Sequence, residues 1–122
     1  LQLADVRAIA LRQIGEAAST ISPEPVSVIA FGSFARGDAD AASDIDLAVV
    51  RADDVDEDDE RWADSIEAWR RRVRAITGND VEIVEATVTD ATRKLRGRSE
   101  LWRNIRNDGV VVDGLALEEL AG

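Results

Sequence analysis

Asp44 and Asp46 are the residues whose type and spacing best suit chemistry, in the run Asp44-Ile45-Asp46-Leu47-Ala48-Val49-Val50. They alternate with Ile45, Leu47 and Val49, and strand alternation puts both carboxylates on one face and the aliphatic side chains on the other. Two such aspartates stand about 7 Å apart along a strand, near enough to converge on one or two divalent ions. Oxygen ligands of this kind suit magnesium or manganese. The chain contains no histidine and no cysteine. Thiolate metal sites, disulfides and histidine general bases are thereby excluded, and carboxylates must do any acid-base or metal work. A lone Asp-x-Asp is also what the solvated face of an antiparallel strand displays, so the surrounding pattern has to decide between the two readings.

That pattern is VSVIAFGSFARGDADAASDIDLAVV, residues 26–50. Val26, Val28, Ile29 and Phe31 form a β-branched and aromatic run that stops at Gly32-Ser33, so a strand is expected to end in a tight turn. Gly32-Ser33, Arg36-Gly37, a ten-residue spacing from Ser33 and then Ser43-Asp44-Ile45-Asp46 between two strands together resemble the signature of the minimal nucleotidyltransferases of the DNA polymerase β superfamily. The resemblance implies that Gly32, Ser33 and Arg36 bind the nucleotide. It also implies that Asp44 and Asp46 hold two magnesium ions carrying a nucleoside triphosphate, with ATP as substrate. In that superfamily the third strand carries a third carboxylate beside the metal pair. The matching position is Glu82, in Val81-Glu82-Ile83-Val84, where the family more often has Asp. Asp80 shares its strand face and is the alternative.

The rest of the chain must position these groups. Leu3, Val6, Ala10, Ile14 and Ala17 recur at helical spacing, with Leu11 widening the stripe, until Ser22-Pro23-Glu24-Pro25 breaks the pattern. Trp62, Ile66, Trp69, Val73 and Ile76 mark a second helix from about Asp59 to Thr77, stopped at Gly78-Asn79. A strand is read at 80–85, a short helix at 90–95, and another helix from Ser99 to Asn107 with Leu101, Trp102 and Ile105 inward. Val110 to Asp113 reads as a last strand at the sheet edge, and Leu115, Leu117 and Leu120 fall in a tail. The expected fold is α/β (α+β): a mixed sheet of about four strands backed by helices, its other face open around Asp44, Asp46 and Glu82.

With 122 residues, the chain is expected to form one domain, 1–122, with a core of its own. It opens on Leu1 without a methionine, which leaves open whether residues precede it. No apolar run approaches the roughly 20 residues of a membrane span, and no signal-peptide pattern is seen, so a cytoplasmic protein is expected. Net charge is −10, from 25 acidic and 15 basic residues, which disfavours nonspecific binding to nucleic acid except through a partner. Seven acids crowd residues 52–60. They read as a solvated loop before a helix, or as a surface for a basic partner. The Arg70, Arg71, Arg72 and Arg74 run and the Arg93, Lys94, Arg96 and Arg98 cluster read first as solvated faces.

A short chain spent almost wholly on the catalytic core is expected to take its acceptor from another protein. It looks like the minimal nucleotidyltransferase antitoxins encoded with HEPN-domain ribonuclease toxins. That likeness implies transfer of AMP from ATP to a hydroxyl of the toxin partner. The alternatives are an antitoxin of weak activity that acts by contact alone, and a free-standing transferase, a toxin, that modifies transfer RNA.

Overall fold

Apolar runs of β-branched residues and amphipathic helices alternate along the chain, and they fold into a sheet with helices on both faces. The computed structural model describes residues 3–37 and 44–121. Ser43 of the sequence pattern and the side chain of Leu3 lie outside what is described. The helices are α1 (Leu3–Ala17), α2 (Gly32–Arg36), α3 (Glu60–Thr77), α4 (Val88–Leu95), α5 (Glu100–Asp108) and α6 (Leu117–Ala121). The strands are β1 (Ser27–Phe31), β2 (Ile45–Arg51), β3 (Val81–Thr87) and β4 (Val110–Gly114).

Strand order is β3-β2-β1-β4. β1 runs antiparallel to both β2 and β4, whereas β2 and β3 are parallel and joined through α3. The sheet is therefore mixed, as expected, and β4 lies at its edge. β1 is buried at every position, in keeping with an apolar run that has helices above and below it.

On one face Val28, Ala30, Ile45, Leu47 and Val49 pack with Leu11 and Ile14 of α1 and Trp62, Ile66, Trp69 and Val73 of α3. Trp62 and Trp69 are fully buried; truncating either to alanine would cost about 3–5 kcal/mol. The Trp69 indole N–H donates to the Ile14 carbonyl (3.2 Å), and that of Trp62 to Glu85 (2.7 Å). On the other face Ile29, Phe31, Ala48 and Val50 pack with Ala91 and Leu95 of α4, Trp102 and Ile105 of α5, and Leu120 of α6.

This second layer corrects the expectation of an open face. The small and branched side chains Ala48, Val50 and Ala86 let α4, α5 and α6 seat against the sheet, and only the end bearing Asp46 stays accessible. The tail forms α6, whose Leu117 and Leu120 close that layer, while Leu115 precedes it and is exposed. Leu101 points outward and is exposed, leaving Trp102 and Ile105 as the inward pair of α5. In α1 the buried side chains are Leu11 and Ile14, while Val6 is exposed, so the first turns of the helix do not face the core as the spacing suggested.

Candidate functional site

Asp46 owes its position to two neighbouring strands. In register, Asp46 lies beside Phe31 on β1 and beside Glu82 on β3. Cross-strand partners share a face, so Asp46 and Glu82 project from the same side of the sheet. Asp44 immediately precedes β2, and the Ile45 N–H donates to the Asp80 carbonyl (2.8 Å), extending the β2–β3 pairing to this end. Asp44 and Glu82 are exposed and Asp46 is half-buried.

Phe31 leads directly into α2. Gly32 opens this helix with φ +75°, and a Cβ there would come within 2.3 Å of an Asp46 carboxylate oxygen. Glycine is thus required both by the backbone angle and by the approach of the carboxylate. Ser33 follows, half-exposed, at the start of α2. Arg36 occupies the last turn, and Gly37 ends the helix in the left-handed conformation, its N–H bonded to the Phe34 carbonyl at 3.1 Å. A short helix where the sequence suggested only a tight turn is the main local surprise. Its five residues are too few to show helical periodicity.

Electrostatically the site is an acidic corner with one cation beside it. Burial raises the Asp46 pKa above the ordinary aspartate value, and the charges of Asp44 and Glu82 raise it further, with Arg36 opposing them. A carboxylate that repulsion disfavours has capacity for a cation, and oxygen donors alone fit a hard divalent ion such as magnesium. Among the described residues, no three acidic side chains are drawn together as a ready-made metal site. The fit rests on the donor chemistry and on the shared strand face.

The two candidate carboxylates at the start of β3 have different neighbours. Asp80, just before β3, forms an exposed ion pair with Arg74 of α3 at 3.0 Å. Glu82 instead pairs in register with Asp46 and acts on its charge. Two residues near the site gave no sequence signal. Arg7 of α1 donates to the Ala35 carbonyl and braces α2, and Asp108 at the end of α5 lies 3.5 Å from Arg36. Both act across long stretches of chain, and no local spacing marks them.

Two acids of the block, Asp59 and Asp53, have structural roles. Asp59 caps α3 by accepting from the Trp62 N–H (2.9 Å). Asp53 accepts from the Thr89 N–H (2.9 Å) and hydroxyl (2.6 Å) at the start of α4, bonds that hold its carboxyl below the usual range. A groove between α1 and α3, bordered by Gln13, Ala17, Arg72 and Ile76, lies on the opposite face of the sheet from Asp46. It adds nothing to the carboxylate cluster.

A mixed sheet with Gly-Ser after its first strand and Asp-x-Asp entering its second defines a nucleotidyltransferase class of fold. Residues 11–111 match the family described as nucleotidyltransferase domain, and the chain belongs to that family. Its fold is that of the minimal nucleotidyltransferases. It is similar, at 22% identity and a TM-score of 0.62, to a crystal structure of a toxin-antitoxin with AMP-PNP, covering 91% of this chain and 80% of that one. A mutant toxin-antitoxin MntA-HpeT, with two aspartates changed to glutamate, is similar at 20% identity and the same TM-score, with 91% and 80% covered. A tri-AMPylated Shewanella oneidensis HEPN toxin in complex with MNT antitoxin contains a chain similar at 18% identity, TM-score 0.56, covering 93% of this chain and 76% of that one. No curated protein gives a significant sequence match. Among the described residues, no helix is long and apolar enough to cross a membrane.

Proposed function

We propose that this protein transfers AMP from ATP to a hydroxyl of a HEPN-type toxin partner and thereby serves as the antitoxin of the pair. The observation that carries the reading is the juxtaposition, at one sheet end, of Gly32, Asp46 and Glu82 in register. The structural relatives support the choice of partner, since all three are toxin-antitoxin structures and in one of them the HEPN toxin is AMPylated.

In this reading Gly32 lets the phosphates approach the backbone, the Ser33 hydroxyl donates to a phosphate oxygen, and the Arg36 guanidinium offers charge and several N–H donors. Asp44, Asp46 and Glu82 would hold magnesium, which when bound neutralises phosphate charge and lowers the cost of charge building on the attacking and leaving oxygens. Glu82, exposed on the strand beside Asp46, accepts the proton of the acceptor hydroxyl. The acceptor oxygen forms a bond to the α-phosphorus as the bond to the bridging oxygen breaks, and pyrophosphate leaves. Acceptor access fits the exposure of Glu82 on an edge strand.

The second reading is neutralisation of the partner by contact alone, for which the exposed acids Asp54, Asp56, Glu57 and Asp58 offer a surface. Incubation with labelled ATP, magnesium and the partner protein distinguishes the two. Labelled partner is expected, with label lost in the Asp44→Asn, Asp46→Asn double variant. Glu82→Gln should reduce transfer roughly a hundredfold or more, the scale of a lost general base, while Asp80→Asn should leave it nearly intact. An unlabelled but neutralised partner would establish the contact reading, and label on bulk transfer RNA in place of the partner would reject both.

A further inference from the structure

The first turns of α1 do not pack into the core, since none of residues 6–10 is buried. They contribute a polar contact instead. The Arg7 guanidinium donates to the carbonyl of Ala35 in α2, 28 residues further along the chain. A Cβ on Gly37, the residue that ends α2, would stand 3.7 Å from the guanidinium carbon of Arg7. Arg7 thus lies against both the last turn of α2 and its cap.

The helix α2 needs support of this kind. Its five residues fall far short of the roughly 12–15 that let a helix stand alone in water, and no side chain caps its N-terminus. Ala35 is buried, and Gly37 closes the last turn by bonding its N–H to the Phe34 carbonyl (3.1 Å). The Ala35 carbonyl is one of the acceptors that a helix end leaves without an intrahelical donor, and the helix dipole favours a cation there. A charge-assisted bond from a half-buried arginine is stronger than a neutral one. The same short helix carries Ser33, two residues before Ala35, and Gly32 against the Asp46 carboxylate. An orientation fixed at Ala35 is therefore fixed at Ser33.

We propose that Arg7 is a positioning residue for nucleotide binding: its guanidinium fixes the C-terminal end of α2, and with it the direction in which the Ser33 hydroxyl meets the phosphates of an incoming nucleoside triphosphate. This rests on the nucleotidyltransferase reading of the site. The test is calorimetric titration of ATP with magnesium into the wild type, Arg7→Gln, Arg7→Lys, Ser33→Ala and the double variant Arg7→Gln, Ser33→Ala, with thermal melting of each. Ile66→Val, which removes a methylene at a buried position of α3, is the control for a general loss of stability.

Arg7→Gln is expected to raise Kd roughly three- to tenfold, the scale of one hydrogen bond. Arg7→Lys keeps a cation and N–H donors for the Ala35 carbonyl and should recover part of that affinity. In the Ser33→Ala background Arg7→Gln should cost clearly less than in the wild type, because the contact it positions is already gone. Ile66→Val should lower the melting temperature and leave Kd within about twofold of wild type, as expected for a distant site. Wild-type affinity in Arg7→Gln, no recovery in Arg7→Lys, an undiminished loss in the Ser33→Ala background, or an equal loss in Ile66→Val would each overturn the inference. If the wild type binds no ATP, or Ser33→Ala binds as tightly as the wild type, the parent reading of the nucleotide site fails instead.

Discussion

At the scale of single residues, Asp46 shows what the site costs the fold. It is half-buried beside Asp44 and Glu82, and its carboxyl is held above the ordinary aspartate pKa. The folded chain therefore favours the protonated form. The stability linked to this residue is fully present below the ordinary aspartate value and is lost as pH rises through the raised one. Asp46→Asn imitates the protonated carboxyl, so its melting temperature at pH 7 should exceed that of the wild type. The gap should close as pH falls below the ordinary aspartate range, and the variant should lose any magnesium-dependent gain in ATP affinity. Equal melting temperatures at pH 7, or a gap that widens in acid, would contradict this account of the charge. The same carboxylate shows what sequence alone can read. Alternation placed Asp46 on a face of its strand, and the Gly-Ser before it marked a turn, but the 2.3 Å approach of a Gly32 Cβ to Asp46 requires both strands in register. Strand parity does not distinguish Asp80 from Glu82, and the contact of Asp80 with Arg74 comes from α3, where no local spacing marks it.

At the scale of elements, periodicity was informative where a helix is long and buried along one stripe. Trp62, Ile66, Trp69 and Val73 of α3 are all buried, as their spacing implies. In α1 it held for Leu11, Ile14 and Ala17, which pack against the core, but not for Val6, which is exposed; the contacts of α1 with α3 and β4 are what bury the former. It was silent for α2 and α6, each five residues long. Gly15 shows the same limit. In sequence it is a weak point within a helix, and replacing it by alanine should stabilise by about 1 kcal/mol on propensity alone. In the structure the pairing of β1 with β4 skips Val112 between Val28 and Ile29, and a Cβ on Gly15 would come within 2.1 Å of the Val112 carbonyl oxygen. That atom belongs to the backbone and cannot step aside cheaply. Gly15→Ala should therefore lower stability by about 1–3 kcal/mol, the usual scale of overpacking, and chemical denaturation would measure it. A gain in stability would mean that α1 can move off β4 freely.

At the scale of the whole molecule, charge is distributed with a purpose that composition only hints at. The net −10 masks a division between the acidic segment before α3 and a basic stretch through α4 and α5. Within the acidic segment Asp53 and Asp59 are committed to the starts of α4 and α3, whereas Asp54, Asp56, Glu57 and Asp58 are exposed. Among the interactions described, the side chains of these four make no hydrogen bond, and only the Asp56 carbonyl accepts one, from the Asp59 N–H (3.1 Å), so the side chains can be changed without removing either helix cap. If the proposed partner presents a basic surface, this segment attracts it during approach, an effect on association rate that salt screens over about 10 Å at 0.1 M. Replacing the four by Asn and Gln should leave the melting temperature close to wild type, slow association several-fold at low salt, and flatten its dependence on salt, with dissociation little changed. Stopped-flow binding of the partner protein would read all of these rates. The Asp53→Asn variant is the control, since it removes one acid but also the acceptor of the Thr89 bonds, and should show its effect as lost stability. Association that keeps its rate and salt dependence after the four exposed acids are neutralised would leave them as solvated surface and move the recognition of the partner elsewhere on the chain.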